Sequence, residues 1–258
     1  MDILTYLDRL NYRGQVKPDL ITLRGLHLAH MLSIPFENLD IGINRPIRID
    51  RESIWNKLII NRRGGFCYEL NGAFAWLLQQ IGFRVTYLNG RVFNKEGGLG
   101  IGFDHLALMV QIPASPTRWL ADVGFGDSFT EPLSLDELGE QAQGLRAYRL
   151  EWIPEGYVVW QRNYDGVWKR QYLFDLQPRT FPDEYEAACR YHQTSPHSSF
   201  TRGSIISKAT RQGRISLEDG WLIVTEDGRR TEQQLNDRQE YHSLLKKHFN
   251  ISLQEESL

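Results

Sequence analysis

The sequence predicts an α+β fold with a helical first lobe, a central antiparallel sheet curled into a sandwich or barrel, and a shorter mixed tail. Three observations predict it: apolar residues recur every 3.6 positions up to Ile81, every second position from Arg84 to Phe174, and in mixed order afterwards. A chain of 258 residues buries a sizeable core as one large domain or as two to three compact lobes. No repeat, low-complexity tract or long linker separates the parts, so the boundaries fall where the period changes, giving 1–83, 84–180 and 181–258.

In the first lobe, Asp2 is positioned to cap a helix carrying Ile3, Leu4, Leu7 and Leu10, and Asp19 a second with Leu20, Leu23, Leu26 and His30. Ser33 to Ile41 holds Pro35, which favours extended backbone, and is too apolar for a surface loop, so it is expected to line something. Asp50 caps a third helix through Ile54, Trp55, Leu58 and Ile59. A fourth begins at Cys67, runs through Leu70, Phe74, Leu77, Leu78 and Ile81, and closes at Gly82.

Strands follow at 84–93, 105–112, 118–123, 146–153, 157–162 and 167–174, interrupted by a glycine-rich loop from Gly97 to Gly102 and by Pro-Glu-Gly and Asp-Gly turns. A run of roughly six antiparallel strands is best explained as a sheet curled into a sandwich or barrel. In the tail, 182–191 reads as a helix, 205–224 as one or two hairpins turning at Gly213 and Asp219-Gly220, and 238–249 as a closing helix.

A net charge of −2 with interspersed signs implies no nucleic-acid or membrane partner. No stretch approaches the ~18 apolar residues of a spanning helix, and the start lacks a basic signal region, so a cytoplasmic location is expected. Two cysteines make no disulfide framework and fit a reducing compartment; the absence of CxxC and HExxH leaves a metal site without support.

The chemistry is expected around Arg62 to Gly72. Gly64 and Gly65 free the backbone for a sharp turn, and Cys67 falls in the first helical turn, where unpaired N–H groups and the macrodipole favour a thiolate. A free Cys is as often a small buried core residue, so the partners decide. Of seven histidines, His27, His30, His242 and His248 lie on amphipathic helices, and His192 and His197 in a polar loop, places where a structural or solvated His is the ordinary outcome. His105 differs: it opens an apolar strand at the mouth of the sheet, and the next strand ends near Asp122, a carboxylate costly to bury alone. Antiparallel pairing would bring the two together. Cys67, His105 and Asp122 then form one arrangement of a thiol triad, with an incidental His–Asp pair as the competing explanation. Beyond it, Gly124-Phe125-Gly126 is a tight loop whose N–H groups suit phosphate oxygens.

These stretches resemble the arylamine N-acetyltransferases in three separate motifs: Arg63-Gly64-Gly65-Phe66-Cys67-Tyr68-Glu69-Leu70-Asn71, Ile34-Pro35-Phe36-Glu37-Asn38-Leu39 and Asp122-Val123-Gly124-Phe125-Gly126. The resemblance implies an N-terminal helical bundle, a central antiparallel β-barrel and a C-terminal α/β lid around a cysteine-protease-like core. It implies acetyl-CoA as co-substrate, no metal, and a small aromatic amine, hydrazine or hydroxylamine as acceptor in xenobiotic metabolism, by a monomer or weak homodimer. Cys67 is then the acetyl-accepting nucleophile, His105 the base and Asp122 its orienter. Gly102, Gly124 and Gly126 would approach coenzyme A; Phe36, Val92 and Phe125 would line the acceptor slot; Arg63 and Glu37 would form a structural ion pair.

The same triad also suits a thiol hydrolase or an amide synthase, since it fixes acyl-cysteine chemistry and leaves the acceptor open. A non-catalytic binding module is the reading from another class, opposed by the three intact triad residues.

Overall fold

The structure, a computed structural model, describes residues 1–113 and 115–253. The first two helices, α1 (Ile3–Arg9) and α2 (Leu20–Ser33), start where their aspartates predict: Asp2 and Asp19 each accept the N–H three residues on, at 2.8 Å. The buried stripe of α1 runs through Tyr6, Leu7 and Leu10. Leu4, expected on it, is 73% exposed. Within the Ser33–Ile41 segment Ile34 is extended, Phe36–Glu37 forms the strand β1, and a one-turn helix, α3 (Leu39–Gly42), follows. The third predicted helix divides into α4 (Arg51–Trp55) and a π-turn at Asn56–Ile60.

Helix α5 (Cys67–Ile81) is the spine of the molecule. Every residue from Cys67 to Leu78 is buried, because the bundle covers one side and the sheet the other. Gly82 ends it in the left-handed region, at φ 107°.

The central sheet has eight strands: β2 (Arg84–Val92), β3 (His105–Gln111), β4 (Arg118–Ala121), β5 (Leu133–Ser134), β6 (Gln141–Gln143), β7 (Arg146–Ile153), β8 (Gly156–Arg162) and β9 (Trp168–Phe174). Their order is β5-β4-β3-β2-β9-β8-β7-β6, antiparallel throughout. The two short strands missing from the sequence reading are its edges. Leu133–Ser134 and Gln141–Gln143 are too short to show a period. A side chain joins them: the Gln141 amide accepts the Ser134 N–H at 2.8 Å and donates to the Ser134 carbonyl at 2.9 Å. The amide imitates a peptide unit, and the curled sheet becomes a nearly closed barrel.

After α6 (Glu186–Thr194) comes a second antiparallel sheet, β1-β10-β11-β12-β13, with β10 (Ile205–Ala209), β11 (Gly213–Glu218), β12 (Trp221–Glu226) and β13 (Arg229–Gln234). The expected one or two hairpins are a four-strand meander, because β13, Arg-Arg-Thr-Glu-Gln-Gln, is exposed at every position and carries no apolar signal. The first lobe supplies the fifth strand: Phe36 pairs with Ser207 and Glu37 with Ile206. Helix α7 (Arg238–Leu244) and the π-turn Leu245–Phe249 close the chain, and Leu245, Phe249 and Ile251 cover Ile206, Ile215 and Leu217 of this sheet.

Candidate active site

The turn before Cys67 is built by close approach. Neither Gly64 nor Gly65 has a positive φ; the left-handed residue is Arg62, at φ 52°. A Cβ on Gly64 would collide with the Pro35 carbonyl, and one on Gly65 would lie 2.8 Å from the Glu69 Cβ. The glycines thus let the turn press against β1 and the helix start, a different reason from the sharp bend the sequence suggested.

Buried charges pin this turn from behind. Arg63 pairs with Glu37 at 2.7 Å and Asp40 at 3.1 Å, and Lys57 with Asp40 and Glu69, each at 2.9 Å. Glu69 accepts the Phe66 N–H at 3.1 Å, so a carboxylate occupies part of the helix N-terminus on which Cys67 sits. The expected Arg63–Glu37 pair is present as one link in a five-residue network.

His105 and Asp122 meet as the strand argument requires. The register of β3 on β4 sets Leu108 opposite Ala121, so Asp122 lies diagonally across from His105 just past the ladder, and His105 Nε2 is 2.8 Å from Asp122 Oδ2. The carboxylate takes three further hydrogen bonds. Tyr172 donates its hydroxyl to Oδ2 at 2.9 Å; Asn71 Nδ2 and the Gly124 N–H donate to Oδ1 at 2.8 and 2.9 Å. Burial pushes the Asp122 pKa up, but His105, Asn71 and Gly124 outweigh it and hold the carboxyl below the usual range. It is a fixed anion under the imidazole.

Cys67 is buried at the start of α5. Burial pushes the lone thiol up, and the Asp104 and Asp122 carboxylates add to this. The expectation that the helix start alone lowers this pKa is therefore corrected. Desolvation dominates, and Glu69 already occupies the helix end.

Cys67 and His105 open onto one cavity of about 850 Å³ between the barrel and the second sheet. Phe36, Val92, Gly124, Phe125 and Gly126 line it, as does a basic wall of Arg146, Lys169, Arg214 and Arg230. Gly102 is outside this lining, and a Cβ there would meet nothing within 4 Å. Gly124 is tightly held: an added Cβ would lie 2.8 Å from the Cys67 Cα and 2.7 Å from Asn71 Nδ2.

Four residues of the site were not singled out by sequence. Asn71 lies one turn beyond Cys67 on the same helix face, a spacing that could have marked it. Tyr172 gave no signal, being one more alternating residue of β9. His27, read as a core or surface histidine, is buried, and its Nε2 accepts the Asp122 N–H at 3.2 Å while Nδ1 donates to the Thr130 carbonyl at 2.9 Å. Burial lowers its pKa to about 4, which keeps it neutral and able to accept. His192, expected in a solvated loop, is buried in the last turn of α6 and lines the cavity; His197 is exposed. Among the described residues, no cluster of His, Cys, Asp and Glu is arranged to hold a metal ion, and no helix is long and apolar enough to cross a membrane.

A cysteine and a histidine on one cavity, with a buried aspartate behind the histidine, are the groups acyl-cysteine chemistry needs, and likeness to known proteins narrows the class. A family model described as N-acetyltransferase matches residues 19–258. An arylamine N-acetyltransferase of Mycolicibacterium smegmatis is 34% identical, over 88% of this chain and 84% of its own. The enzyme of Escherichia coli K12 is 32% identical over 96% and 88%. The solved arylamine N-acetyltransferase of Mycobacterium marinum in complex with CoA superposes with a TM-score of 0.91 at 32% identity, over 97% of this chain and 93% of that one. The chain belongs to the arylamine N-acetyltransferase family and is an acyltransferase.

Proposed function

We propose that the protein transfers an acetyl group from acetyl-CoA to the nitrogen of an aromatic amine, hydrazine or hydroxylamine through an acetyl-Cys67 intermediate. The observation that carries this is the His105–Asp122 pair, 2.8 Å apart on a carboxylate with four donors, opening onto the same cavity as Cys67.

In the first half-reaction, Cys67 passes its proton to His105 and attacks the thioester carbonyl. The imidazolium, held on Asp122, returns that proton to the departing coenzyme A sulfur. In the second, the neutral imidazole takes a proton from the amine as it attacks acetyl-Cys67, and the tetrahedral intermediate expels the Cys67 thiolate. The Cys67 N–H, unpaired at the first helical position, and a neighbouring N–H would hold the oxyanion, each donor contributing about 2.7–4 kcal/mol. Because burial opposes a lone thiolate, the reactive sulfur exists as half of an ion pair with His105.

The basic wall supports coenzyme A as donor. Asp127 binds Arg146 at 2.5 Å and Arg214 at 2.9 Å and fixes both, and with Lys169 and Arg230 they offer four cations to phosphates in a lining that also holds the carboxylates of Asp104, Asp165 and Glu218. Gly126, half-buried at φ 79°, leaves backbone open beside it, whereas Gly124 is buried with its N–H given to Asp122. Phe36, Val92 and Phe125 give the cavity an apolar, partly aromatic wall suited to an aryl ring. Two free, buried thiols, Cys67 and Cys189, support a reducing, cytoplasmic setting.

Initial-velocity kinetics test the proposal. Double-reciprocal plots against acetyl-CoA at several aniline concentrations are expected to be parallel, as a ping-pong enzyme requires. Intersecting lines would mean direct transfer in a ternary complex. Acetyl-CoA consumed at an undiminished steady rate without amine would instead mark a hydrolase.

A further inference from the structure

A second histidine–carboxylate pair faces the cavity and has no part in the triad. Asp104, immediately before His105, lies 3.1 Å from His192 Nε2 through its Oδ1 and accepts the Val92 N–H through Oδ2 at 3.1 Å. Both residues line the cavity with Cys67. The glycine-rich loop is shaped around this carboxylate: a Cβ on Gly100 would collide with Oδ2, and the Gly100 N–H is tied to the Val92 carbonyl at 2.8 Å. His192 is fixed in turn, with Nδ1 3.4 Å from the Ser198 hydroxyl and its ring against Tyr68 and Phe200. His192 Nε2 is buried and makes no aligned hydrogen bond, so what it offers Asp104 at that distance is an electrostatic contact, strongest when the imidazole is protonated.

The charge on Asp104 needs a reason. An asparagine would accept the Val92 N–H as well, and a carboxylate here works against the first half-reaction by disfavouring the Cys67 thiolate. The sign is favourable at the opposite moment, when an amine nitrogen attacks acetyl-Cys67 and becomes positive. Asp104 also has acceptor capacity left, with one hydrogen-bond donor, the Val92 N–H, where Asp122 has four.

We propose that the Asp104 carboxylate, oriented by His192, is an acceptor-binding group of this active site, taking an N–H of the incoming amine and the positive charge that builds on its nitrogen. The inference rests on the acetyl-Cys67 reading above. Two groups then divide the nitrogen's protons: His105 removes one, and Asp104 holds another in place. Nucleophiles with several N–H donors near the attacking atom, such as hydrazides, benefit most. His192 is a positioning residue.

The test separates the two half-reactions. Acetyl-enzyme formation from acetyl-CoA is timed by quench and intact mass, and its consumption is timed separately with aniline and with benzohydrazide. In Asp104→Asn, acetylation is expected to stay within about threefold of wild type or to quicken, while both amine steps slow by about tenfold or more, the size of a lost charge-assisted hydrogen bond. Amine steps at the wild-type rate in folded Asp104→Asn would overturn the proposal. Should that variant fail to fold, His192→Gln decides. The same split with a raised acceptor KM is expected, and an unchanged acceptor KM would overturn it. No acetyl-enzyme in wild type would overturn the acetyl-Cys67 reading and this one with it.

Discussion

On the proposed mechanism, Cys67 is a poor nucleophile alone and a good one only beside an imidazolium. Burial and two carboxylates oppose its thiolate, so the thiol should titrate low while His105 stands on Asp122 and high once that support is lost. Iodoacetamide alkylation against pH checks this. The wild-type rate should plateau below the ordinary thiol value of about 8.5, and in Asp122→Asn the inflection should move above it; identical profiles would contradict the account. Tyr172→Phe removes one of the four donors to the Asp122 carboxylate and should slow acetylation by about tenfold, with folding intact. The positions of Cys67, His105 and Asp122, the proposed triad, were legible because each has a local meaning: a helix start, a strand start and a strand end. Tyr172 and His27 were not, since their only signal is a tertiary neighbour. Phe36, Val92 and Phe125 reach the cavity, whereas Gly102, carried over by motif, is outside it.

At the scale of the element, the helices were legible and the barrel edges were not. Asp2, Asp19 and Asp50 cap where they predict, but β5, β6 and β13 lie below the length or apolar content at which a period can be read. Helix α2 also carries an acid sensitivity. His27 is held neutral by burial, with its pKa lowered to about 4, and burial lowers His30 well below its usual value as well. For both, the unfolded chain binds the proton that the folded one refuses. Their stabilisation is complete above the ordinary histidine value of about 6.5 and is lost as pH falls below it. Glu69, raised by burial to about 7, acts in the opposite sense over the same window and offsets one of the two protons. The two histidines outnumber the one glutamate, so stability falls as pH drops below about 6.5. Thermal melting should show the midpoint falling steadily from pH 7 to pH 5, and a flat midpoint would mean the two histidines already titrate normally in the folded state.

For the molecule as a whole, the ends of the chain depend on each other. Phe36 and Glu37, from the first lobe, pair with Ser207 and Ile206 of the last, and the barrel supplies the opposite wall of the cavity. Calorimetry should therefore show a single unfolding transition, and two separable transitions would contradict this coupling. The loop after β4 meets the start of α5 with no room to spare, so Gly124→Ala should cost about 1–3 kcal/mol of stability and most of the activity. A change confined to stability would mean the loop yields without moving Cys67. The order of lobes was legible from the change of period alone, while the strand shared by the first and last lobes was not, because two residues carry no pattern.

The central claim is that Cys67 carries the acetyl group between two substrates. Its most direct test is intact-protein mass after brief incubation with acetyl-CoA, then again after aniline is added. The account predicts a gain of one acetyl group that maps to Cys67, disappears with aniline and is absent from Cys67→Ala. An acetyl group found elsewhere, or retained by Cys67→Ala, would contradict it.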